Sequence, residues 1–174
     1  MKKSIIALIT LLMFCGIARS QDGILVENPQ YGVKFNVPNS WKERKVEETS
    51  KKDAISYSFD KNDGSIAMML IAFRLSEVKN LNDLVYTLEK DLTLNIPKID
   101  GTYSEFDKGN YDGMSAKYKD TEFTEIIYYF RTKYSEGVNY AYMLRFITST
   151  TVFSPSIDEE IKKIGDAFEP LPGQ

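Results

Sequence analysis

The chain has 174 residues, with 22 basic and 25 acidic side chains, one cysteine and no histidine. The mildly acidic balance argues against nucleic acid or an anionic membrane as the main partner. The absence of histidine removes the commonest general base and the commonest metal ligand, so we predict no metal and no cofactor.

The first twenty residues have the pattern of a secretory signal peptide. Two lysines precede an uncharged, mostly apolar run over residues 5–18, and small residues flank Arg19 at its end. Signal peptidase cuts after such a pattern, whereas a spanning helix needs about 20 apolar residues. We therefore predict a signal peptide over residues 1–20, one mature domain over residues 21–174 with no membrane span, and a periplasmic or secreted location.

The single cysteine raises an alternative to a freely diffusing product. Cys15 follows Phe14, where a bacterial lipoprotein signal has a small residue. A lipoprotein anchored at Cys15 is therefore the less favoured alternative. Cleavage after Ser20 removes this cysteine and three basic residues, so the mature domain needs no disulfide and is more acidic than the precursor.

Alternating apolar and polar residues predict several strands in the first half of the mature chain. These lie near residues 24–27, 31–37 and 55–59. Residues 65–75 are apolar on both faces, which predicts a central strand that is covered on both sides. Residues 42–52 mix both charges and are interpreted as a solvated surface, and Trp41 before them is predicted to lie in the core.

Asp60–Gly64 resembles the start of a calcium-binding loop but predicts a hairpin turn. Its glycine falls at the fifth position instead of the sixth, and the twelfth position is Ile71 instead of glutamate. Turn-forming residues are sufficient to explain this composition.

The apolar spacing becomes helical after residue 80. Leu81, Leu84 and Leu88 share one stripe, and Asn80 is a good N-cap. A second stripe near the C-terminus predicts another helix, with Ser156 and Glu159 as a capping box. Between the helices, four strands with short connections are predicted near residues 101–108, 114–121, 122–134 and 138–148.

These elements predict an α+β fold. An antiparallel sheet of about six or seven strands would be flanked by two main helices in an αβα sandwich, because each amphipathic helix needs a sheet face to cover.

Two segments carry a resemblance to a known family. The run YGVKFNVPNSW at residues 31–41 and the run IKKIGDAF at residues 161–168 are similar to the opening strand and the C-terminal helix of PsbP-like domains. The resemblance implies the same sandwich and an exported accessory or binding subunit instead of an enzyme. The histidines that some relatives use to bind metal have no counterpart here.

Aromatic residues crowd two neighbouring predicted strands. We hypothesise that they form at least one wall of a partner or ligand site, because tyrosine combines an apolar ring with a polar tip. The alternative is ordinary core packing across strands. The candidate residues are Tyr128, Tyr129, Tyr140 and Tyr142.

Catalytic patterns are weak in this chain. A serine or cysteine triad lacks its histidine, and no G-x-S-x-G motif occurs. A glycosidase-like pair is conceivable among acids near turns and strand ends, but sequence selects no pair from so many acids. These acids are Asp112, Asp120, Glu122 and Glu125.

We therefore predict a non-enzymatic binding or accessory domain that acts through protein–protein contacts in the cell envelope. One alternative is a carrier of a small apolar ligand in a pocket beside the sheet. Another, the least favoured, is a hydrolase that uses carboxylates without histidine.

Overall fold

Ten strands in two antiparallel sheets dominate the computed structural model of the protein. It describes residues 23–75, 80–91, 94–133 and 139–171. The predicted signal peptide and Cys15 lie outside the described residues, so both remain predictions. Among the residues described, no helix is long and apolar enough to cross a membrane.

The elements follow one another with short connections. In chain order they are β1 (Gly23–Asn28), a 3-10 turn (Pro29–Tyr31), β2 (Val33–Pro38), β3 (Trp41–Glu48), β4 (Ala54–Lys61), β5 (Ala67–Leu75), α1 (Leu81–Asp91), β6 (Lys98–Ile99), β7 (Ser104–Asp107), β8 (Tyr111–Lys119), β9 (Phe123–Thr132), β10 (Asn139–Ser149) and α2 (Pro155–Asp166).

The larger sheet has eight strands in the order β3-β4-β5-β10-β9-β8-β6, and β7 pairs with β8 beside β6. The last long strand, β10, lies between β5 and β9, with Leu144 opposite Leu70 on one side and Tyr128 on the other. The predicted central strand is confirmed, because β5 has neighbours on both edges and buried side chains on both faces.

Each face of the large sheet has its own apolar core. One core, on what we call the α1 face, holds Leu84, Val85 and Leu88 of α1 against the centre of the sheet. The other, on the α2 face, holds the apolar stripe of α2 and most of the buried aromatic rings. Strand alternation assigns successive residues to opposite cores.

The small sheet formed by β1 and β2 also covers the α2 face. Val33, Phe35 and Val37 of β2 are buried in the same core as the stripe of α2. A β-hairpin and a helix therefore share the layer over this face.

The predicted fold class is wrong. Strand makes up 53% of the structure and helix 18%, so the protein is β-rich and is not an α+β sandwich with two flanking helices. The helices have 11 and 12 residues, and much of the second layer is a hairpin. The strand number of six or seven is also too low for the two sheets described.

One reason for the low strand count is β3. The sequence predicts a solvated charged surface for these residues, and the side chains after Trp41 are indeed exposed. It nevertheless pairs with β4 from Trp41 to Glu48. An edge strand can satisfy its backbone on one side while its charges face water, which also protects the free edge from pairing with other chains.

The helix starts are set by local side-chain hydrogen bonds. The predicted cap of α1 is confirmed, because Asn80 Oδ1 accepts from the amide of Asp83 at 2.8 Å. The predicted capping box of α2 is wrong by two residues. Its N-cap is Ser154, whose Oγ accepts from the amide of Ile157, and Pro155 occupies the first helical position.

Two local predictions hold. Asp60–Gly64 lies in the hairpin between β4 and β5, where Asp63 accepts from the amide of Ser65 at 2.9 Å. Trp41 is 2% exposed and packs edge-on against Phe146 at 6.4 Å.

Candidate functional site

The structure divides the four predicted tyrosines between the two cores. Tyr128, Tyr140 and Tyr142 lie on the α2 face, while Tyr129 lies on the α1 face. Tyr128 and Tyr129 are neighbours in one strand, and neighbours in a strand point to opposite faces. The four therefore do not form one wall.

Tyr140 and Tyr142 pack beneath the 3-10 turn. The hydroxyl of Tyr142 donates to the carbonyl oxygen of Gly32 at 2.9 Å, and its ring meets Phe168 edge-on at 5.3 Å. The ring of Tyr140 lies beside that of Tyr142 at 6.4 Å. Burial raises the pKa of Tyr142 above its ordinary value. Both side chains are buried in the core.

Tyr128 differs because it borders an open cleft. The cleft has a volume of about 420 Å³ and lies between the exposed side of α2 and the strands β7, β8 and β9. Ligand pockets usually fall between about 300 and 1,000 Å³, so this space suits a small organic group. The aromatic lining consists of Phe106, Tyr111, Tyr128, Phe130 and Phe168.

A close approach between helix and sheet positions the Tyr128 ring. A Cβ atom at Gly165 of α2 would lie 2.4 Å from Cζ of Tyr128, so only glycine allows this contact. The Tyr128 ring is stacked beside Phe130 at 6.2 Å and is edge-on to Phe146 at 6.3 Å. These contacts fix the ring as one wall of the cleft.

The hydroxyl of Tyr128 remains available for hydrogen bonding. Its hydroxyl has no hydrogen-bond partner in the part of the chain that the structure describes, whereas those of Tyr129 and Tyr142 are bonded. Burial, followed by the negative charges of Asp166 and Asp158, raises the pKa of Tyr128. The hydroxyl therefore stays protonated and can donate to a ligand.

The opposite wall is formed by the β7–β8 hairpin. The ring of Phe106 lies over Gly113, where an added Cβ would come within 2.4 Å of it, and meets Phe130 edge-on at 5.6 Å. Ser104 and Ser115 place hydroxyls on the same wall. The wall thus combines an aromatic ring with hydrogen-bonding groups.

Charged side chains surround the cleft without a dominant sign. Asp158, Lys162 and Asp166 of α2 are exposed on one side, and Lys108 and Lys117 lie on the other. Such a rim solvates the entrance and can orient a ligand that has both apolar and polar parts.

Tyr129 belongs to a second cluster on the α1 face. Oε1 of Glu89, on α1, accepts hydrogen bonds from Tyr129 at 3.0 Å, from Tyr103 at 3.0 Å and from Tyr118. Burial raises the pKa of both Tyr118 and Tyr129, so these hydroxyls remain donors at neutral pH. Three phenols, from β8, β9 and the segment before β7, thus hold one carboxylate.

The four acids considered for hydrolysis have other partners or positions. Asp112 forms a bidentate ion pair with Arg131, with bonds of 2.7 and 2.8 Å. Glu125 pairs in the same way with Arg145, at 2.7 Å for both bonds. Asp120 accepts from two backbone amides in the turn before β9, and Glu122 is exposed in that turn.

The described residues contain no group of three or more carboxylate or thiol side chains that could hold a metal ion. Sequence reasoning missed Gly165, Phe106 and Glu89. Gly165 inside an otherwise good helix was the available signal, because an interior glycine often marks a close contact.

Comparison with known proteins shows a similar fold and indicates no activity. No family model and no curated protein matches the chain. A crystal structure of a protein from Bacteroides thetaiotaomicron VPI-5482 is similar, with a TM-score of 0.51 and 16% identity over 86% of this chain. The match covers 48% of that protein, so the chain spans about half of its length. The similarity shows a shared fold alone, and the PsbP-like resemblance remains a prediction from the sequence.

Proposed function

We propose that the protein is an exported, non-enzymatic binding module that takes a small ligand with a flat apolar group into the cleft beside α2. The observation that carries this proposal is the Tyr128 wall: a fixed aromatic ring with an unbonded hydroxyl at the edge of a cleft of about 420 Å³. Export rests on the predicted signal peptide.

The lining matches such a ligand in two respects. Rings of Tyr128 and Phe106 offer faces and edges for stacking, and each favourable aromatic contact contributes about 0.5–1.5 kcal/mol beyond the buried area. Hydroxyls of Ser104, Ser115 and Tyr128 can orient polar substituents. An open cleft of this kind also favours exchange of the ligand over permanent enclosure.

Protein–protein contact through a flat apolar surface has less support. The exposed large apolar side chains among the described residues are dispersed over several elements, and single exposed apolar residues are normal. They are Leu25, Val46, Tyr86, Ile99, Tyr103, Phe123 and Val152.

Hydrolysis by paired carboxylates is not favoured at the cleft. Asp158 and Asp166 are the acids that line it. They lie eight positions apart on α2, a rise of about 12 Å along the helix axis. Glycosidase pairs are separated by about 5–10 Å.

The proposal is tested by blocking the cleft. Binding of 2-naphthol to the mature protein would be measured by ligand-observed NMR and by titration calorimetry. Ser115→Trp places an indole in the cleft and should weaken binding at least tenfold. Ser58→Trp, opposite Met69 on the α1 face of the sheet and outside the cleft lining, is the matched control and should leave binding unchanged. Absence of binding, or equal loss in both variants, would contradict the proposal.

The location is tested separately. Mass spectrometry of the protein made in a bacterial host should find an N-terminus at Gln21 in the exported fraction. A lipid-modified N-terminus at Cys15 would instead establish a membrane-anchored form.

A further inference from the structure

We propose that a second cleft, on the α1 face, binds the ammonium group of a small primary amine, with Glu89 as its counter-ion. This site lies on the opposite side of the sheet from the Tyr128 cleft, and the inference does not depend on the function proposed there. The second cleft has a volume of about 410 Å³ and is lined in part by Glu89, Tyr103 and Tyr118.

The carboxylate of Glu89 is held in place by hydrogen bonds to only one of its two oxygens. Its Oε1 receives all three tyrosine hydrogen bonds, and Oε2 receives none from the residues described. Because the three donors come from β8, β9 and the segment before β7, the position of the carboxylate is set before any ligand arrives. A fixed acceptor of this kind loses little conformational freedom on binding.

The negative charge of Glu89 lacks a counter-ion within the described part of the chain. Lys90 follows it and also lines the cleft, but its ammonium forms no ion pair with Glu89 and lies instead 5.3 Å from the centre of the Tyr86 ring and 3.3 Å from the Tyr86 hydroxyl. Lys98 and Lys119 are opposite each other in the register, next to the pair Ile99 and Tyr118. Alternation therefore places these two lysines on the other face of the sheet.

The chemistry of the cleft favours an ammonium over other cations. A guanidinium binds best through two parallel hydrogen bonds to both carboxylate oxygens, and Oε1 is already occupied by phenols. Calcium takes six to eight oxygen ligands, which one carboxylate does not supply. An ammonium needs one strong acceptor, which the unoccupied Oε2 of Glu89 supplies.

Part of the remaining wall can cover an apolar group next to the ammonium. Ile96, Pro97 and Ile99 line the same cleft, together with the polar side chains of Lys90 and Asn95, and Ile99 is 41% exposed. An arylalkyl or alkyl chain attached to the amine would cover these side chains, which contributes favourable burial of apolar surface. The fitting ligand class is thus a primary monoamine with a hydrocarbon or aromatic group.

The test compares two probes of nearly equal shape at pH 7. Phenethylamine carries a positive charge, and 2-phenylethanol does not. The wild-type protein should bind phenethylamine at least tenfold more tightly in titration calorimetry, the scale of a hydrogen bond between charged groups. The guanidine analogue, phenethylguanidine, should bind more weakly than the amine.

Variants then locate the site. Glu89→Gln should reduce the affinity for phenethylamine to that for 2-phenylethanol. Glu122→Gln makes the same chemical change at an exposed acid in the turn before β9 and should have no effect. Ser115→Trp, which blocks the other cleft, should also leave amine binding unchanged, so the two proposals can fail independently.

Variants at Tyr103 keep the Glu89 carboxylate and test the site even if Glu89→Gln does not fold. If circular dichroism shows that Glu89→Gln does not fold, Tyr103→Phe and Tyr103→Ala replace it, since Tyr103 is 39% exposed. The phenylalanine variant should keep amine affinity within about twofold, and the alanine variant should lose at least threefold. Equal binding of amine and alcohol by the wild type, or full amine affinity in Glu89→Gln, would overturn the proposal.

Discussion

Replacing Glu125 with leucine should destabilise the protein by about 3–5 kcal/mol, because it leaves the charge of Arg145 buried without a partner. The side chains of Glu125 and Arg145 are 3% and 7% exposed, and both bonds of the pair are 2.7 Å long. Arg145 also donates to the carbonyl oxygen of Leu94 at 3.1 Å, which ties the segment after α1 to the sheet.

The measurement is urea unfolding at pH 7, followed by tyrosine and tryptophan fluorescence. With a slope of about 2 kcal/mol/M, the expected loss moves the midpoint down by about 1.5–2.5 M. Small domains have a total stability of about 5–15 kcal/mol, so this loss is large. The double variant Glu125→Leu with Arg145→Met should recover most of it, since no unpaired charge remains.

An exposed ion pair provides the matched control. Lys163 and Glu159 on α2 lie 3.3 Å apart with side chains 74% and 69% exposed. Glu159→Leu should change stability by less than about 0.5 kcal/mol. A loss below 1 kcal/mol for Glu125→Leu, or a double variant no more stable than the single one, would refute the reasoning.

Three further predictions use the same unfolding assay. Trp41→Ala should lose about 3–5 kcal/mol, the range for a buried large aromatic residue, and a loss under 1 kcal/mol would show that the indole is not a core anchor. Gly32→Ala should lose at least about 1 kcal/mol, because Gly32 has φ +60 and a Cβ there would lie 2.7 Å from the Tyr142 hydroxyl; an unchanged midpoint would contradict this. Burial raises the pKa of Tyr142 above the ordinary value of 10.0. Its contribution to stability is therefore complete below pH 10 and decreases as the pH rises from there towards the folded-state pKa. Stability should thus fall between about pH 10 and pH 12, and a flat profile over that range would argue against the buried phenol.

Much of the strand arrangement was predictable because a strand that is buried on one face alternates apolar and polar residues along its sequence. The alternation in β2 and β4 and the two apolar faces of β5 therefore identify these strands from sequence. The charged β3 was missed because seven of its eight side chains face solvent, so pairing with β4 leaves no apolar pattern.

The start of α2 could have been predicted more accurately. Two serines flank Pro155, and both are acceptable caps by residue type. Proline is favoured at the first helical position, where its missing amide does no harm. The residue before it, Ser154, is therefore the cap that the local chemistry selects.

Only part of the candidate site could be predicted from the sequence. The same period of two separates Tyr128 from Tyr129, so their division between the faces was available from the pattern. The contact of Tyr128 with Gly165 joins positions that are distant in the chain. The cluster around Glu89 likewise gathers tyrosines from separate segments, and no local spacing connects them.

The place of β10 in the middle of the large sheet has a consequence for how the chain folds. β5 can pair with its second neighbouring strand only after β10 has been synthesised. Leu70 and Leu144, which are opposite each other in this pair, are 74 positions apart. Contacts between such distant positions slow folding, because loop closure precedes the gain from pairing. A ribosome adding about 5–20 residues per second needs several seconds to extend from one strand to the other. During that interval the edge of β5 that later pairs with β10 is free, and a free strand edge is a template for pairing with other chains.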